Sequence, residues 1–562
     1  MRAVARRPAR GGRPPPGWLS AEGRSAPRDF RAPPGWTLTA ALALAYLIIA
    51  PASPDLAAAS YRSSLFAHSG FTIWDNSWYG GHHLPAYSLL APAIGALLGP
   101  RLLAAISMTI AAALFTALID GRFPARAVRI ASLWFALGAG VSLLSSRVPF
   151  DLGLAIGLGS LLLAQHSRGV SAAALALACS LASPVAGAFL ALGFLAWALA
   201  GPQRGLPAAL CALALVSIAL LALAFPEGGS QPFVGSAFFP ALAGVLVITA
   251  LIPRGHGQDG SRVLRAGGLL YALALIGAYL LSSAVGGNAD RLGALAAGPL
   301  AACALVGVRG DRRRARILLA LAPLLLYWQV KAPVSDFAAA ASDPGVHASY
   351  YRPLLSELQR LDIGYGRRPA RIEVVPLADH WEARWTAPHV MIARGWERQL
   401  DRYRDALFYE GSRGAKRIAP ARYRAWLYEQ SISYVALPDA KLDYSARAEA
   451  ELLRAGPLPY LREVWHSLHW RLFAVAGARP LADPPSVLQS VGSDWLTLTV
   501  PRAGAYTVRV HYTRYWSLVS GSGCVSRAPG DWTRVSARGA GQLRLAISVS
   551  VARLFSDGPR CT

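Results

Sequence analysis

Charge is what this chain has least of. Asp, Glu, Lys and Arg make up 15% of its 562 residues, against 54% hydrophobic residues and a mean hydropathy of +0.35. A soluble domain carries about a quarter charged residues, so water is not the solvent for most of this chain. Cysteine is scarce as well, at five. No C-x-x-C pair and no G-x-x-x-x-G-K-[ST] loop occurs. Their absence argues against nucleotide-driven pumping within the chain. No unit recurs at solenoid spacing.

The charge that is present is lopsided, at a formal net +25. Such an excess fits nucleic acid, but here the arginines cluster between apolar runs, as in GVRGDRRRARI around Arg309 to Arg316 and DGRFPARAVR around Arg122 to Arg129. That is the placement of loops retained on the cytoplasmic side of a membrane. A helix needs about 20 apolar residues to cross, with a lower limit near 17. Spans are therefore read at 36–54, 102–120, 128–146, 149–165, 169–183, 185–201, 205–225, 236–253, 265–285, 292–308 and 315–331. With these eleven crossings the basic loops all fall on one side, and PEGGSQP near Glu227 and GGNAD near Asp290 fall on the other. The amino terminus is then cytoplasmic and the tail outside. Leu84 to Gly99 is apolar too, but counting it as a span inverts every later loop, so it is expected to be a re-entrant or juxtamembrane helix.

The expected organisation is a polytopic α-helical membrane protein of about 11 spans in four parts. Residues 1–35, rich in Arg, Pro and Gly, read as a disordered cytoplasmic arm. Residues 36–331 form the transmembrane domain, with an outer loop at 55–101. Residues 332–480 mix polar and apolar segments and read as an extracytoplasmic α+β domain. Residues 481–562 read as a β-sandwich-like module, because LTLTV, AYTVRVHYT, TRVSAR and QLRLAISVSV alternate with period two between turns. Cys524 and Cys561 lie in this tail, where an oxidising exterior permits them to pair; Cys179, Cys211 and Cys303 read as small buried side chains.

Chemistry-bearing residues gather in PDLAAASYRSSLFAHSGFTIWDNSWYGGHHLPAYS. Asp55 and Asp75 are candidate catalytic carboxylates, able to take a proton from an attacking hydroxyl. Arg62, His82 and Arg147 are candidates for meeting a departing phosphate, and Trp74, Trp78 and Trp396 for stacking on a sugar. Asp75, His82 and His83 leave a divalent metal open. Each has a plainer alternative. Asp55 could be a solvated helix exit, Asp75 a turn cap, the tryptophans interface anchors, and Arg147 the partner of Asp151 four residues on. Arg291, beside Asp290, and Lys331 either face an anionic headgroup or are ordinary interface residues. Arg394, Glu397, Arg398 and Asp401 either border a ligand site or form a solvated helix surface.

Asp55 just past the first span, the loop WDNSWYGGHHLPAYSLLAP and a tail after Lys331 together resemble the GT-C superfamily of membrane glycosyltransferases, in a divergent, actinobacterial cell-envelope form. The resemblance implies transfer of a sugar from a polyprenyl-phosphate donor to a cell-envelope glycan or lipid at the outer face of the plasma membrane. It gives Asp55 the role of the family's first-loop carboxylate, which serves as general base or helps place a metal. The family's acidic pair is missing, since Leu56 follows Asp55 and Asn76 follows Asp75. The other classes kept are a transporter or flippase of lipid-linked sugars, which needs polar residues along several spans, and a non-catalytic envelope assembly protein.

Overall fold

The computed structural model describes residues 34–253, 259–306, 312–555 and 561. Most of the amino-terminal arm, Arg254 and Arg309 itself lie outside the described residues.

Every segment read as a span contains a helix, although that read at 36–54 breaks after Ile49. The first part of the chain folds as α1 (Gly35–Ile49), α2 (Pro54–Ser69), α3 (Ala91–Leu98), α4 (Pro100–Ile119), α5 (Ala125–Ser142), α6 (Val148–Gln165) and α7 (Gly169–Ala182). It continues as α8 (Pro184–Ala200), α9 (Gly205–Ala224), α10 (Gly235–Leu251), α11 (Asp259–Leu280), α12 (Asp290–Leu305) and α13 (Arg312–Ala340). An Ala/Leu-rich run with no water to bond to must satisfy its backbone internally, which a helix does. Large apolar side chains stay exposed around the bundle, among them Ile48, Val170, Leu223, Leu273 and Leu319, a surface suited to lipid. Among the described residues six helices are both long and apolar enough to cross a bilayer, or up to seven if α1 and α2 count as one bent span; α7, α8 and α10 are apolar but shorter. Within 84–99 the helix is only α3, eight residues and about 12 Å long at 1.5 Å per residue. It does not cross.

Between α2 and α3 a two-stranded ribbon forms, β1 (Trp74–Asp75) against β2 (His82–His83). After α13 come α14 (Ala348–Arg360), β3 (Arg371–Val374), α15 (Glu382–Trp385), β4 (Met391–Ile392), α16 (Arg398–Arg404), β5 (Tyr409–Glu410), β6 (Arg413–Gly414), α17 (Pro420–Glu429), β7 (Ile432–Pro438), α18 (Arg447–Arg454), β8 (Leu461–His466) and β9 (Trp470–Val475). Five of these strands make a mixed sheet in the order β4-β3-β7-β9-β8. Side chains alternate across it. Ile372, Val374, Ala436 and Leu472 pack with Leu56 and Tyr61 of α2, while Val435, Leu437, Phe473 and Val475 pack with Tyr423 and Leu453 on the other face. The sheet therefore rests on α2.

The remaining strands are β10 (Val487–Val491), β11 (Trp495–Val500), β12 (Gly504–His511), β13 (Trp516–Ser520), β14 (Gly523–Arg527), β15 (Trp532–Ala537) and β16 (Gly541–Ile547). They pair antiparallel as β10-β11-β16-β13 and β12-β15-β14. Leu496, Leu498, Leu543 and Leu545 of one sheet share a core with Val508, Val510 and Val535 of the other. Cys524 of β14 is bonded to Cys561, with their Cα atoms 5.5 Å apart.

The ribbon joins all three bodies. Trp78 bridges to Ile392 at the edge of the mixed sheet, Trp74 enters the core of the sandwich, and both are buried. Gly81 makes the turn possible. Its φ is +114°, and a Cβ there would sit 2.3 Å from the Trp74 ring. Gly81→Ala is expected to cost about 1–3 kcal/mol, as overpacking does, and to lower the thermal midpoint of the full chain in detergent. Gly539→Ala, at a site with open space around it, should leave the midpoint in place.

Candidate functional site

The bend between α1 and α2 sets the site. α1 ends where Ala50 turns left-handed at φ 49°, Pro51 and Pro54 bar its continuation, and the chain turns by 77°. Asp55 thereby falls in the first turn of α2, where the helix dipole favours a carboxylate. It lines a cavity of about 360 Å³ enclosed with α5, α6, α12 and α13.

Four other charged groups line the same cavity: Arg147, Asp290, Arg291 and Asp336. Arg147 stands just before α6, after Ser146 at φ 51°. Its Nε is 3.4 Å from Asp55 Oδ2. The guanidinium of Arg291 lies over the Phe150 ring at 5.6 Å. Asp290 accepts from Trp328 Nε1 at 2.9 Å, and Asp336 from Ser145 Oγ at 2.6 Å. Gln329 joins the wall, accepting from Trp134 Nε1 at 3.1 Å and donating to the Leu295 carbonyl at 3.3 Å. Asp151 is buried nearby and neither of its oxygens has a hydrogen-bond partner. The partner of Arg147 is thus Asp55, and the alternative pair with Asp151 is set aside.

The rest of the loop does not reach the cavity. Asp75 is fully buried in β1 and accepts from Tyr61 Oη at 2.9 Å and from the Ser77 N–H at 3.0 Å; burial pushes its carboxyl above the usual range against these bonds. It caps a turn and does not line the cavity of Asp55. Arg62 is buried in an ion pair with Glu397 and lies 4.3 Å over the Tyr87 ring. His82 stacks on Trp78 at 5.3 Å, and neither ring nitrogen has a partner. Burial, with Arg62 and Arg404 nearby, pushes its pKa down to about 3. Neither residue lines the cavity of Asp55: His82 is enclosed, and Arg62 is paired with Glu397.

Trp74 and Trp78 are buried and offer no face to a sugar. Trp396 is half-buried, edge-on to Tyr87 at 5.8 Å. Asp75, His82 and His83 form no ligand set; the His83 ring is 2.9 Å from Glu227 instead, and among the described residues no three His, Cys, Asp or Glu side chains are placed to hold a metal. Arg394, Glu397 and Asp401 are buried, so they are neither a ligand border nor a solvated surface.

Sequence reasoning missed Glu227, Asp336 and Gln329. Glu227, in the turn after α9, accepts from the His83 N–H and pairs with Arg404 at 3.5 Å. Burial opposes its charge, but His83 and Arg404 outweigh this and hold it down to about 2. The signal for Asp336 was there: an ionisable residue in a long apolar helix is costly and usually functional.

His82 yields a pH prediction. Between its free value of 6.5 and its folded value of about 3, the unfolded chain binds a proton that the folded chain refuses. Stability is therefore expected to fall as pH drops below 6.5, and His511, pushed down by burial to about 4, adds to it. His82→Phe should shrink the difference in thermal midpoint between pH 7.5 and pH 5; an unchanged difference would count against the neutral imidazole.

No protein-family model and no curated protein matches the chain. Among solved structures it is similar to arabinofuranosyltransferase AftD from Mycobacteria, at TM-score 0.47 and 17% identity over 84% of this chain and 43% of that one. A second structure of AftD gives 0.42, again at 17% identity, over 84% and 42%. The archaeal oligosaccharyltransferase AglB from Archaeoglobus fulgidus, solved with an inhibitory peptide and a dolichol-phosphate, gives 0.34 at 12% identity over 72% and 69%. The chain spans less than half the length of the AftD structures.

Proposed function

We propose that the chain transfers a sugar from a polyprenyl-phosphate donor to a cell-envelope glycan or lipid at the outer face of the plasma membrane. The observation that supports this is the meeting of Asp55 with Arg147 and Arg291 on one cavity among lipid-facing helices. Charge is expensive at such a place and is kept for a purpose. The topology favours the outer face. Arg122, Arg126, Arg168 and Arg204 lie in or beside the α4–α5, α6–α7 and α8–α9 turns, at the helix ends opposite the cavity, as a cytoplasmic side requires.

In the reaction, the acceptor hydroxyl passes its proton to the Asp55 carboxylate as its oxygen forms a bond to the anomeric carbon. The bond from that carbon to the phosphate oxygen breaks, and its electron pair leaves with the polyprenyl phosphate. The charge that gathers on the phosphate is met by Arg147 and Arg291, fixed before the reaction begins. In the resting structure Arg147 faces Asp55. An arriving phosphate competes for that guanidinium and frees the carboxylate, which couples donor binding to readiness of the base. Asp290 and Asp336 are held by Trp328 and Ser145 and shape the wall.

The test is reconstitution of the full chain in liposomes with radiolabelled polyprenyl-phosphate sugars and envelope acceptors. Transfer that is lost in Asp55→Asn and in Arg147→Gln supports the reading. Transfer unaffected by either sinks it, and so does movement of the lipid-linked sugar across the bilayer without transfer, the result for a flippase.

A further inference from the structure

A second cavity, of about 610 Å³, lies where the α1–α2 bend meets α3, the start of α4 and α15. It shares no lining residue with the cavity of Asp55. Its chemistry is one-sided. Arg101, Arg384 and the hydroxyls of Ser60 and Ser64 line it, and no Asp or Glu does. Arg101 is fixed by donating to the carbonyls of Ala50 and Pro51 at 3.0 and 3.2 Å, with its Nε left unpaired. Arg384 lies 4.9 Å over the Trp385 ring and has no carboxylate partner among the described residues. Trp381, buried and stacked on Trp385 at 5.7 Å, keeps an indole N–H without an acceptor. Both charged groups in the lining are cationic, and two guanidiniums with no acid among the lining residues call for an anion.

Its position names the source of that anion. Ile48 and Ile49, just before the lining residue Ala50, are 75% and 60% exposed, and Leu97 and Leu98, just after Ala96, are 85% and 44% exposed. Those side chains face lipid if α1 and α4 cross the bilayer as proposed above; transfer itself is not required. The chamber then opens at headgroup depth with an apolar sill beneath it. We infer that it binds an anionic glycerophospholipid, with the phosphodiester between Arg101 and Arg384, headgroup hydroxyls on Ser60 and Ser64, and acyl chains along Ile48, Ile49, Leu97 and Leu98. The bound lipid would span α2 and α15, so it fastens the mixed sheet to the membrane beside the reaction cavity.

Native mass spectrometry of the full chain tests this without any activity readout. Micelles are loaded with equal amounts of phosphatidylglycerol and phosphatidylcholine of the same chain length. Retention of phosphatidylglycerol by the wild type is expected to exceed that of phosphatidylcholine by about thirtyfold, from two basic residues at the surface. Arg384→Gln should bring the two close to parity, Arg384→Lys should keep a preference, and Arg126→Gln in an opposite turn should change nothing. Equal retention by the wild type overturns the inference. So does a preference that survives Arg384→Gln combined with Arg101→Gln, because it would then reside in the basic turns. Displacement of the lipid by millimolar glycerophosphate would show a phosphate site with no hold on the acyl chains, and would overturn it as well.

Discussion

Asp55→Asn is expected to lower sugar transfer by about 10²- to 10⁴-fold, the usual worth of a positioned general base. Asn has the same shape, still fits the first turn of α2 and still accepts a hydrogen bond, so the fold and the cavity remain. What goes is the proton acceptor. Arg147 loses the partner 3.4 Å away, and its guanidinium becomes wholly available to a donor phosphate. Donor affinity should therefore hold or tighten while kcat falls, a split that a misfolded variant cannot give. Asp75→Asn makes the contrast. That carboxylate touches Tyr61 and Ser77 rather than the cavity, so the change should lower the thermal midpoint while leaving kcat of the folded fraction near wild type. Single-turnover transfer with labelled donor measures both. An Asp55→Asn protein within about threefold of the wild-type kcat would remove the base from the proposal.

Helices were legible in the sequence because their cause is local. The segment read at 205–225 is the helix Gly205–Ala224, and that at 169–183 is Gly169–Ala182. Strand runs such as LTLTV were legible for the same reason. Asp55 was found because its place follows from where the first apolar run ends. The number of crossings was not legible, since hydropathy says that a run is buried in something apolar and not whether it is long enough to pass through.

The loop misled for a physical reason. Trp, His, Asp and Arg crowd together at catalytic sites and at buried junctions alike, and what separates the two is burial. The burial of Trp78 and Arg62 is decided by Ile392 and Glu397, that of Trp74 by strands near Trp516, all hundreds of positions away. Gly80 and Gly81 beside four aromatic rings were the available hint, because backbone without side chains marks close approach. Arg291 and Asp336 joined Asp55 only through the packing of α12 and α13 around α5 and α6.

Arg394→Met is expected to be the most damaging single change outside the bundle. The guanidinium is buried, donates twice to Asp401 at 3.0 and 2.8 Å and once to Ser445 at 2.7 Å, and lies 3.5 and 3.9 Å from Glu449 and Glu373. One cation thus answers for three enclosed carboxyls, with Asp405 close behind. Methionine fills the space and removes the charge, which should cost about 3–5 kcal/mol, as leaving a buried partner uncompensated does. The loss should depend on pH. Burial pushes Glu449 up to about 7 and Glu373 well above the usual range, even with Arg394 present. A carboxyl that holds its proton more tightly folded than unfolded stabilises the fold at low pH, and that contribution is lost as pH rises from about 4.5 through about 7. Without Arg394 the dependence should steepen, so the mixed sheet of the variant resists trypsin at pH 6 and is cleaved at pH 8. Glu449→Gln in the same chain should restore part of the resistance at pH 8. Equal cleavage of variant and wild type at pH 8 would mean that the carboxyls find other partners, and the single-cation account of this core would fail.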